Sequence, residues 1–154
     1  MFGYTWSSTN RKFDELNNGK TFPYKYDRRH DLKMAIVHRI NKAVEISADW
    51  VFGTGQAITL PTEIYLGNNG AEIEVYEGRN SFRMRNYHRM DVAMKFFKEK
   101  KWGERAWIIS VYNVYNRQNP FFIYRDFNSG TNMPSFKQVS LFPIIPSVTY
   151  QFKF

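Results

Sequence analysis

The sequence predicts an all-β fold, an antiparallel up-and-down meander that forms part of a transmembrane β-barrel. Three observations predict it: apolar and polar side chains alternate along several stretches, these stretches are long, and short connections alternate with long ones. A period of two places successive side chains on opposite faces of a strand. We expect about six strands of a larger barrel, because single-chain bacterial barrels have at least about eight.

The first three strands differ in how clearly they alternate. The first is weak, with Phe2, Tyr4 and Trp6 on one face. The second is interrupted by His38, and its apolar face carries Leu32, Met34, Ile36 and Ile40. The third alternates most cleanly, and its apolar residues are Val44, Ile46, Ala48, Trp50 and Phe52.

The last three strands complete the meander. The apolar face of the fourth consists of Met90, Val92, Met94 and Phe96. The fifth, within 105–116, is apolar on both faces, so its orientation stays open. The sixth is a long strand that ends with Val148, Tyr150, Phe152 and Phe154 on one face. Within it, Pro143, Pro146 and a change of parity after Leu141 predict a β-bulge near 142–146.

Connection lengths predict at which end of the sheet the turns and the loops lie. The pair Asn41-Lys42 predicts a hairpin turn, and 98–104 is also short and polar. The long connections cover 9–30, 53–87 and a third that passes through 128–132. Short turns are therefore expected at one end of the sheet and long loops at the other. Within the second long loop, 62–65 and 73–76 predict an additional hairpin that extends beyond the membrane.

The physical basis for the barrel is that hydrocarbon supplies no hydrogen-bonding groups, so a sheet in lipid closes on itself with its apolar face outward. Strands of about 9–11 residues suit a tilted crossing. A soluble β-sandwich or β-barrel with the same alternation remains the alternative. The residues predicted to face lipid are Val44, Ile46, Trp50, Phe52, Met90, Val92, Met94 and Phe96. Those predicted to face the lumen or a plug are Glu45, Asp49, Asp91 and Lys95, with pairing across strands as the alternative.

Composition limits the possible functions. The chain has no cysteine, which excludes disulfides, thiolate zinc sites and cysteine nucleophiles. A net charge of +8 with 18% aromatic residues leaves a soluble nucleic-acid-binding β-domain as one rival. The three histidines, His30, His38 and His88, lack ligand spacing, and no catalytic constellation is visible. We expect no enzyme, no metal and no cofactor. The N-terminus lacks signal-peptide form, so any export signal is expected upstream.

Several segments resemble a known family. The ending Pro146-Ser147-Val148-Thr149-Tyr150-Gln151-Phe152-Lys153-Phe154 resembles the C-terminal assembly signal of outer-membrane barrels, with Val148, Tyr150, Phe152 and Phe154 on its apolar face. The order of four further segments is similar to the C-terminal barrel end of TonB-dependent receptors, particularly those of Bacteroidetes. These segments are Tyr26-Asp27-Arg28-Arg29-His30-Asp31-Leu32, Tyr87-His88-Arg89-Met90-Asp91, Val111-Tyr112-Asn113-Val114-Tyr115-Asn116-Arg117-Gln118-Asn119-Pro120-Phe121-Phe122 and Gln138-Val139-Ser140-Leu141-Phe142-Pro143-Ile144-Ile145-Pro146-Ser147.

The resemblance implies that residues 1–154 form the C-terminal part of a receptor barrel that imports a scarce solute: an iron chelate, cobalamin or a glycan. It implies an outer-membrane location and four partners: membrane lipid, the barrel-insertion machinery, the rest of the receptor with its plug, and TonB acting through an N-terminal part. No plug and no TonB box are expected within this chain, and no nucleic-acid partner. Arg28, Arg29 and His30 could contact an anionic extracellular ligand, or could instead pair with Asp27 and Asp31. A small self-closed barrel with a structural or adhesive role is the remaining rival.

Overall fold

The computed structural model describes residues 1–100, 103–127 and 134–154, and within these ranges the chain is all-β apart from a short 3-10 turn at Asn17–Gly19. The prediction of an all-β antiparallel fold is confirmed. The strands are β1 (Phe2–Trp6), β2 (Asn10–Arg11), β3 (Phe22–Pro23), β4 (His30–Asn41), β5 (Val44–Gly53), β6 (Ala57–Ile58), β7 (Glu63–Leu66), β8 (Glu72–Val75), β9 (Phe82–Arg83), β10 (Tyr87–Lys100), β11 (Gly103–Tyr112), β12 (Pro120–Phe127), β13 (Pro134–Ser140) and β14 (Ile145–Lys153).

The main sheet has six strands in the order β1-β4-β5-β10-β11-β14. Neighbours in the sheet follow each other along the chain, so the predicted meander is observed. Within the described residues the sheet is open, with β1 and β14 as its outer strands, and no closed barrel is present. The two short connections share one end of the sheet, because the Phe97 N–H donates to the Ala43 carbonyl at 2.7 Å.

The first hairpin turn lies one residue later than predicted. The turn residues between β4 and β5 are Lys42 and Ala43, whereas the sequence favoured Asn41 and Lys42. The reason is that the Asn41 side chain accepts the Ala43 N–H through Oδ1 at 2.8 Å, so Asn41 supports the turn from the end of its strand. In the second short connection Lys100 pairs with Gly103, and Lys101 and Trp102 of the predicted 98–104 turn lie outside the described residues.

The long connections contain four small two-stranded sheets. The additional hairpin predicted from 62–65 and 73–76 is observed as β7 paired with β8. The strand pairs β2–β3 and β6–β9 were not predicted, and neither was the β12–β13 hairpin. The loop predicted at 128–132 lies outside the described residues.

The prediction of one long bulged strand near the C-terminus is wrong. Its two halves are separate strands: β13 pairs with β12, and β14 pairs with β11. Between them the backbone of Phe142 has φ 58°, the left-handed region. The change of parity therefore arises where the chain leaves one sheet and enters another. Pro146 lies on β14, an outer strand, where a missing ladder donor is tolerated.

The chain divides into two compact units. We call residues 1–4, 32–52 and 87–154 the sheet unit, and residues 5–31 and 53–86 the loop unit. The sheet unit holds most of the main sheet and the β12–β13 hairpin. The loop unit has a small apolar interior in which Phe22, Ala57 and Met84 are buried, with the Phe13 and Phe22 rings 6.2 Å apart.

Candidate functional site

The side of the main sheet that carries its large apolar side chains is the first candidate surface. Directly opposed residues of an antiparallel pair point to the same face, so the registers of β10, β11 and β14 assign each residue to a side. Four rows cross the three strands on one side: Val92–Val111–Pro146, Met94–Ile109–Val148, Phe96–Trp107–Tyr150 and Lys98–Arg105–Phe152. We call the residues of these rows the apolar face. The registers settle the orientation of the fifth predicted strand, which the sequence left open.

The apolar face is exposed. Trp107 is 52% accessible, Ile109 49% and Val148 64%. The Trp107 and Tyr150 rings lie 4.8 Å apart, so the aromatic row is packed along the surface although nothing in the described residues covers it. Exposed contiguous apolar surface of this kind marks an interaction site with protein, ligand or membrane.

The same surface extends over two further strands. A shallow cavity of about 450 Å³, which we call the groove, is lined by Ile36 and His38 of β4 and by Ile46 and Ala48 of β5, together with Val92 and other residues of β10 and β11. His38, the exception in the sequence pattern, therefore lies among apolar neighbours. This groove places the apolar residues of four strands on one surface.

The residues predicted to face lipid lie in β5 and β10, and none of them is buried. Ile46, Val92 and Met94 line the groove, and Phe96 belongs to the aromatic row. Trp50 and Phe52 stack with ring centroids 6.0 Å apart, and Val44 and Met90 are partly exposed.

The opposite side of β10, β11 and β14 is largely polar. Its rows are Ala93–Ser110–Ser147, Lys95–Ile108–Thr149, Phe97–Ala106–Gln151 and Glu99–Glu104–Lys153. The Ser110 and Ser147 hydroxyls are 2.6 Å apart, and the Lys95 ammonium lies 4.8 Å from the Phe97 ring centroid. Of the residues predicted to face the lumen, Lys95 lies on this side, while Glu45 is partly buried and Asp49 exposed on β5.

Asp91, the fourth residue predicted to face the lumen, belongs to a polar cluster near the start of β10. Its Oδ2 forms a salt bridge with Arg89 Nη2 at 2.9 Å, and its Oδ1 accepts a hydrogen bond from the Asn113 N–H at 2.9 Å. The Arg89 guanidinium also lies 4.1 Å from the Tyr112 ring centroid and donates to the Tyr112 hydroxyl at 2.6 Å. Asp91 therefore pairs with a side chain of its own strand and with a backbone N–H beyond β11, whereas the alternative that the sequence left open was pairing across strands.

Residues 113–119, which we call the elbow, join β11 to β12 through buried asparagines. Asn113 is fully buried with φ 53°, and its side chain donates to the carbonyls of Arg117 and Phe142 and accepts the Arg117 N–H. The Asn119 side chain accepts the His88 N–H and donates to the His88 carbonyl. Sequence reasoning placed 113–116 in the fifth predicted strand and did not predict the elbow, whereas β11 ends at Tyr112. The available signal was the recurrence of Asn, the residue that enters the left-handed region most readily after Gly.

Asp27 organises the loop unit. Its side chain is fully buried and accepts the Thr9 N–H at 2.6 Å, Arg29 Nε at 3.3 Å and Arg83 Nη2. Arg83 also donates to the carbonyls of Asp27 and Gly55. Burial by itself raises the pKa of Asp27, but the hydrogen bonds from Arg83, Thr9 and Arg29 outweigh it and hold the pKa below its ordinary value.

The residues predicted to contact an anionic ligand all make contacts within the loop unit. Arg29 pairs with Asp27, and the Arg28 side chain lies against Gly53, where an added Cβ would be 2.9 Å from Nη1. The His30 N–H donates to the Thr54 hydroxyl at 3.1 Å. For Arg29 the structure agrees with the pairing alternative.

The predicted assembly-signal residues lie at the outer strand. Val148, Tyr150 and Phe152 belong to the apolar face, and Phe154 follows β14 with its ring 5.6 Å from that of Phe152. Within the described ranges, no group of three or more histidine or carboxylate side chains is arranged to hold a metal ion. No helix in those ranges has the length and apolarity needed to cross a membrane.

Comparison with known proteins gives no relative. No family model matches the chain, and no match was found among the curated proteins or the solved structures.

Proposed function

We propose that this chain forms barrel wall and extracellular loops of a TonB-dependent outer-membrane transporter that imports a scarce solute, an iron chelate, cobalamin or a glycan. The observation that carries the proposal is the composition of the apolar face. Two aliphatic rows, Val92–Val111–Pro146 and Met94–Ile109–Val148, are followed by the aromatic row Phe96–Trp107–Tyr150 and then by the Lys98–Arg105–Phe152 row.

This sequence of rows matches the chemistry of a bilayer from its centre outward. Aliphatic side chains suit the hydrocarbon, tyrosine and tryptophan suit the interface, and lysine and arginine extend their charged ends toward water. A water-soluble sheet would instead cover such a face with a second layer. Among the described residues, the buried apolar side chains are Phe22, Ala57, Met84 and Ala106, and none belongs to the apolar face.

The open edges of the sheet support assembly into a larger barrel. The outer strands β1 and β14 present ladder groups that lipid cannot satisfy. In the proposal these edges pair with other strands of the receptor, and the polar side of the sheet faces the lumen and the plug. The short-turn end then faces the periplasm, and the long connections form the extracellular loops.

The proposed role is transport, and the chain acts neither as an enzyme nor as a nucleic-acid-binding protein. Its partners are outer-membrane lipid, the barrel-insertion machinery, the remainder of the receptor with its plug, and TonB through the N-terminal part of that receptor. The resemblance of the segments containing Arg28, His88, Asn113 and Pro143 to receptor barrels supports this assignment. In the proposal the solute path lies in the complete receptor, and this chain forms its wall and loops.

Brominated phospholipids test the membrane assignment. The complete receptor that contains this chain is refolded into phosphatidylcholine vesicles that carry bromine on the acyl chains, because lipid does not satisfy the open edges of the chain alone. The part of its tryptophan fluorescence that a Trp107→Phe variant lacks is compared with that in unbrominated vesicles. We expect strong quenching, because Trp107 lies in the aromatic row. A chain that stays dispersed in buffer without lipid, is not quenched, and binds nucleic acid with a steep salt dependence would contradict the proposal.

Solute uptake tests the transport assignment. In the native bacterium, deletion of this gene and deletion of TonB should abolish uptake of the same labelled solute, with iron chelates, cobalamin and glycans screened in turn. Growth with the solute in excess serves as the control, since a transporter for a scarce solute is then dispensable. Uptake that survives deletion of TonB argues against energy coupling and favours a passive or structural barrel.

A further inference from the structure

We propose that the short-turn end of the apolar face is a binding site for the headgroups of anionic phospholipids. This inference rests on the proposed membrane function. The site comprises Lys98, Lys100 and Arg105, which we call the cationic band, together with Phe152.

The first observation is that two cations oppose each other directly. Lys98 pairs with Arg105 in the β10–β11 ladder, so their Cβ atoms lie about 5 Å apart on the same face. Like charges in this position destabilise a sheet. An anion bound between them changes this repulsion into attraction, and a phosphate oxygen is a preferred acceptor for both Lys and Arg.

The second observation is the segregation of charge between the two faces. At the level of the cationic band, the opposite side of the sheet carries Glu99 and Glu104, which oppose each other in the same ladder. In the described parts of β10, β11 and β14, the apolar face carries no carboxylate. The charged side chains that the described strands carry on the apolar face at this level are therefore all cationic.

The third observation is depth. The Lys98–Arg105 pair lies two residues along the strands from the aromatic row, about 7 Å toward the short turns. Lys100 lies a further two residues along, opposite Gly103. The Arg105 guanidinium is 5.5 Å from the Phe152 ring centroid, within cation–π range. A lipid whose acyl chains pack on the aliphatic rows places its phosphate at this level.

The chemistry selects the occupant. Short turns of outer-membrane barrels face the periplasmic leaflet, and a lipid with one phosphate and no compensating amine fits a band of two or three cations better than a zwitterionic lipid. We infer that a lipid of the phosphatidylglycerol class binds here in preference to phosphatidylcholine.

A pair of double variants tests this inference. The band variant combines Lys98→Gln with Arg105→Gln on the apolar face. The control combines Lys95→Gln with Lys153→Gln, which removes the same charge from the opposite side of the sheet. The complete receptor that contains the wild-type or variant chain is folded into mixed vesicles in which either phosphatidylglycerol or phosphatidylcholine carries the bromine, and the ratio of Trp107 quenching gives the relative association of the two lipids.

We expect the wild-type chain and the control to prefer phosphatidylglycerol. The band variant should lose about fivefold in relative association for each cation removed at low ionic strength. Equal preference in wild type and band variant overturns the inference, as does an equal loss in the control. Replacing chloride with inorganic phosphate at constant ionic strength should leave the preference unchanged. If free phosphate abolishes it, the band is a phosphate site and the lipid assignment is wrong.

The same data separate failure of this inference from failure of the proposed function. Quenching by brominated phosphatidylcholine without a preference for phosphatidylglycerol overturns only the headgroup site. Absence of quenching by either lipid shows that the chain has not reached the acyl region, and both proposals then fall.

Discussion

The sheet unit and the loop unit obey opposite rules for where apolar and charged groups lie. In the loop unit, Phe22, Ala57 and Met84 are buried, and Asp27 is buried together with hydrogen-bond donors. In the sheet unit the largest apolar side chains lie on the surface, and the buried apolar side chain among its described residues is Ala106. The loop unit buries its apolar side chains and pairs its buried carboxylate, and the apolar face leaves its apolar side chains exposed, which our proposal explains by contact with lipid.

The difference shows that the effect of an exposed side chain on stability depends on the solvent that it contacts. An exposed aromatic row such as the one that contains Trp107 promotes aggregation of a soluble protein, but the same side chains stabilise a barrel at the bilayer interface. A buried carboxylate costs several kcal/mol unless it is paired, and Asp27 meets that condition with three hydrogen-bond donors. Each of the following variants tests this difference between the two units.

The largest effect is expected from Ile109→Arg, compared with Ile108→Arg. The two isoleucines are adjacent, but Ile109 lies on the apolar face and Ile108 on the opposite side. Arginine at 109 should cost about 2–4 kcal/mol of folding free energy in vesicles, because it desolvates a charge in hydrocarbon. Arginine at 108 should cost about 1 kcal/mol or less, mainly through repulsion by Lys95.

Urea titration of the complete receptor carrying either variant, in phosphatidylcholine vesicles, measures this difference. In a water-soluble sheet the order reverses, since Ile109 is half exposed and Ile108 is less accessible. A larger cost at 108 would therefore contradict the proposed membrane face.

Gly55→Ala tests the packing of the loop unit. A Cβ on Gly55 would lie 1.7 Å from the Met84 carbonyl oxygen, so the backbone must move. We expect a loss of about 2–3 kcal/mol in the opening free energy of 53–86, measured by native-state hydrogen exchange. Gly3→Ala is the control, because its Cβ would meet its nearest atom at 4.0 Å. Equal effects at both positions would show that the close approach at Gly55 is not required.

Asn113→Ala tests the elbow. The variant loses three side-chain hydrogen bonds and places a residue with a Cβ at φ 53°, so we expect a cost of about 2 kcal/mol. Asn113→Gly loses the same hydrogen bonds but relieves the backbone, and should recover about 1 kcal/mol. Proteolysis of the β12–β13 hairpin in vesicles reports the result. Identical behaviour of the two variants would exclude a contribution from backbone strain.

Asp27→Asn should have the smallest effect of the four, about 1–2 kcal/mol in the opening of the loop unit, because its arginine partners are partly exposed. Asp126→Asn removes an exposed pair with Lys137 and should change nothing measurable.

The dependence on pH follows from the lowered pKa of Asp27. The ionised form is stabilised in the folded chain, so its contribution is complete above the ordinary Asp pKa of 3.8 and declines as the pH falls below it. After correction for the intrinsic pH dependence of amide exchange, the protection of 53–86 should therefore decrease as the pH falls through this range. The Asp27→Asn variant should lose that part of the pH dependence, and retention of the full dependence would assign it to other carboxylates.

Much of the main sheet could be predicted from residue order. Alternation from Val44 to Phe52 and from Met90 to Phe96 located two of its strands, and the Gly-Asn-Asn-Gly turn located the β7–β8 hairpin. The β12–β13 hairpin was missed although apolar runs flank the turn-forming residues near Asn128. The last strand was misread because a break between two sheets and a bulge in one strand change parity in the same way.

The sequence by itself determined the two-faced strands and their order, because the period of two is a local property of an extended chain. Only the tertiary structure decided which residues oppose each other, since a register depends on contacts between distant segments. Lys98 facing Arg105 is one result, and Arg83 reaching Asp27 across 56 residues is another. The local pattern could not specify such pairs, because many partners satisfy the same alternation and only the folded backbone selects one.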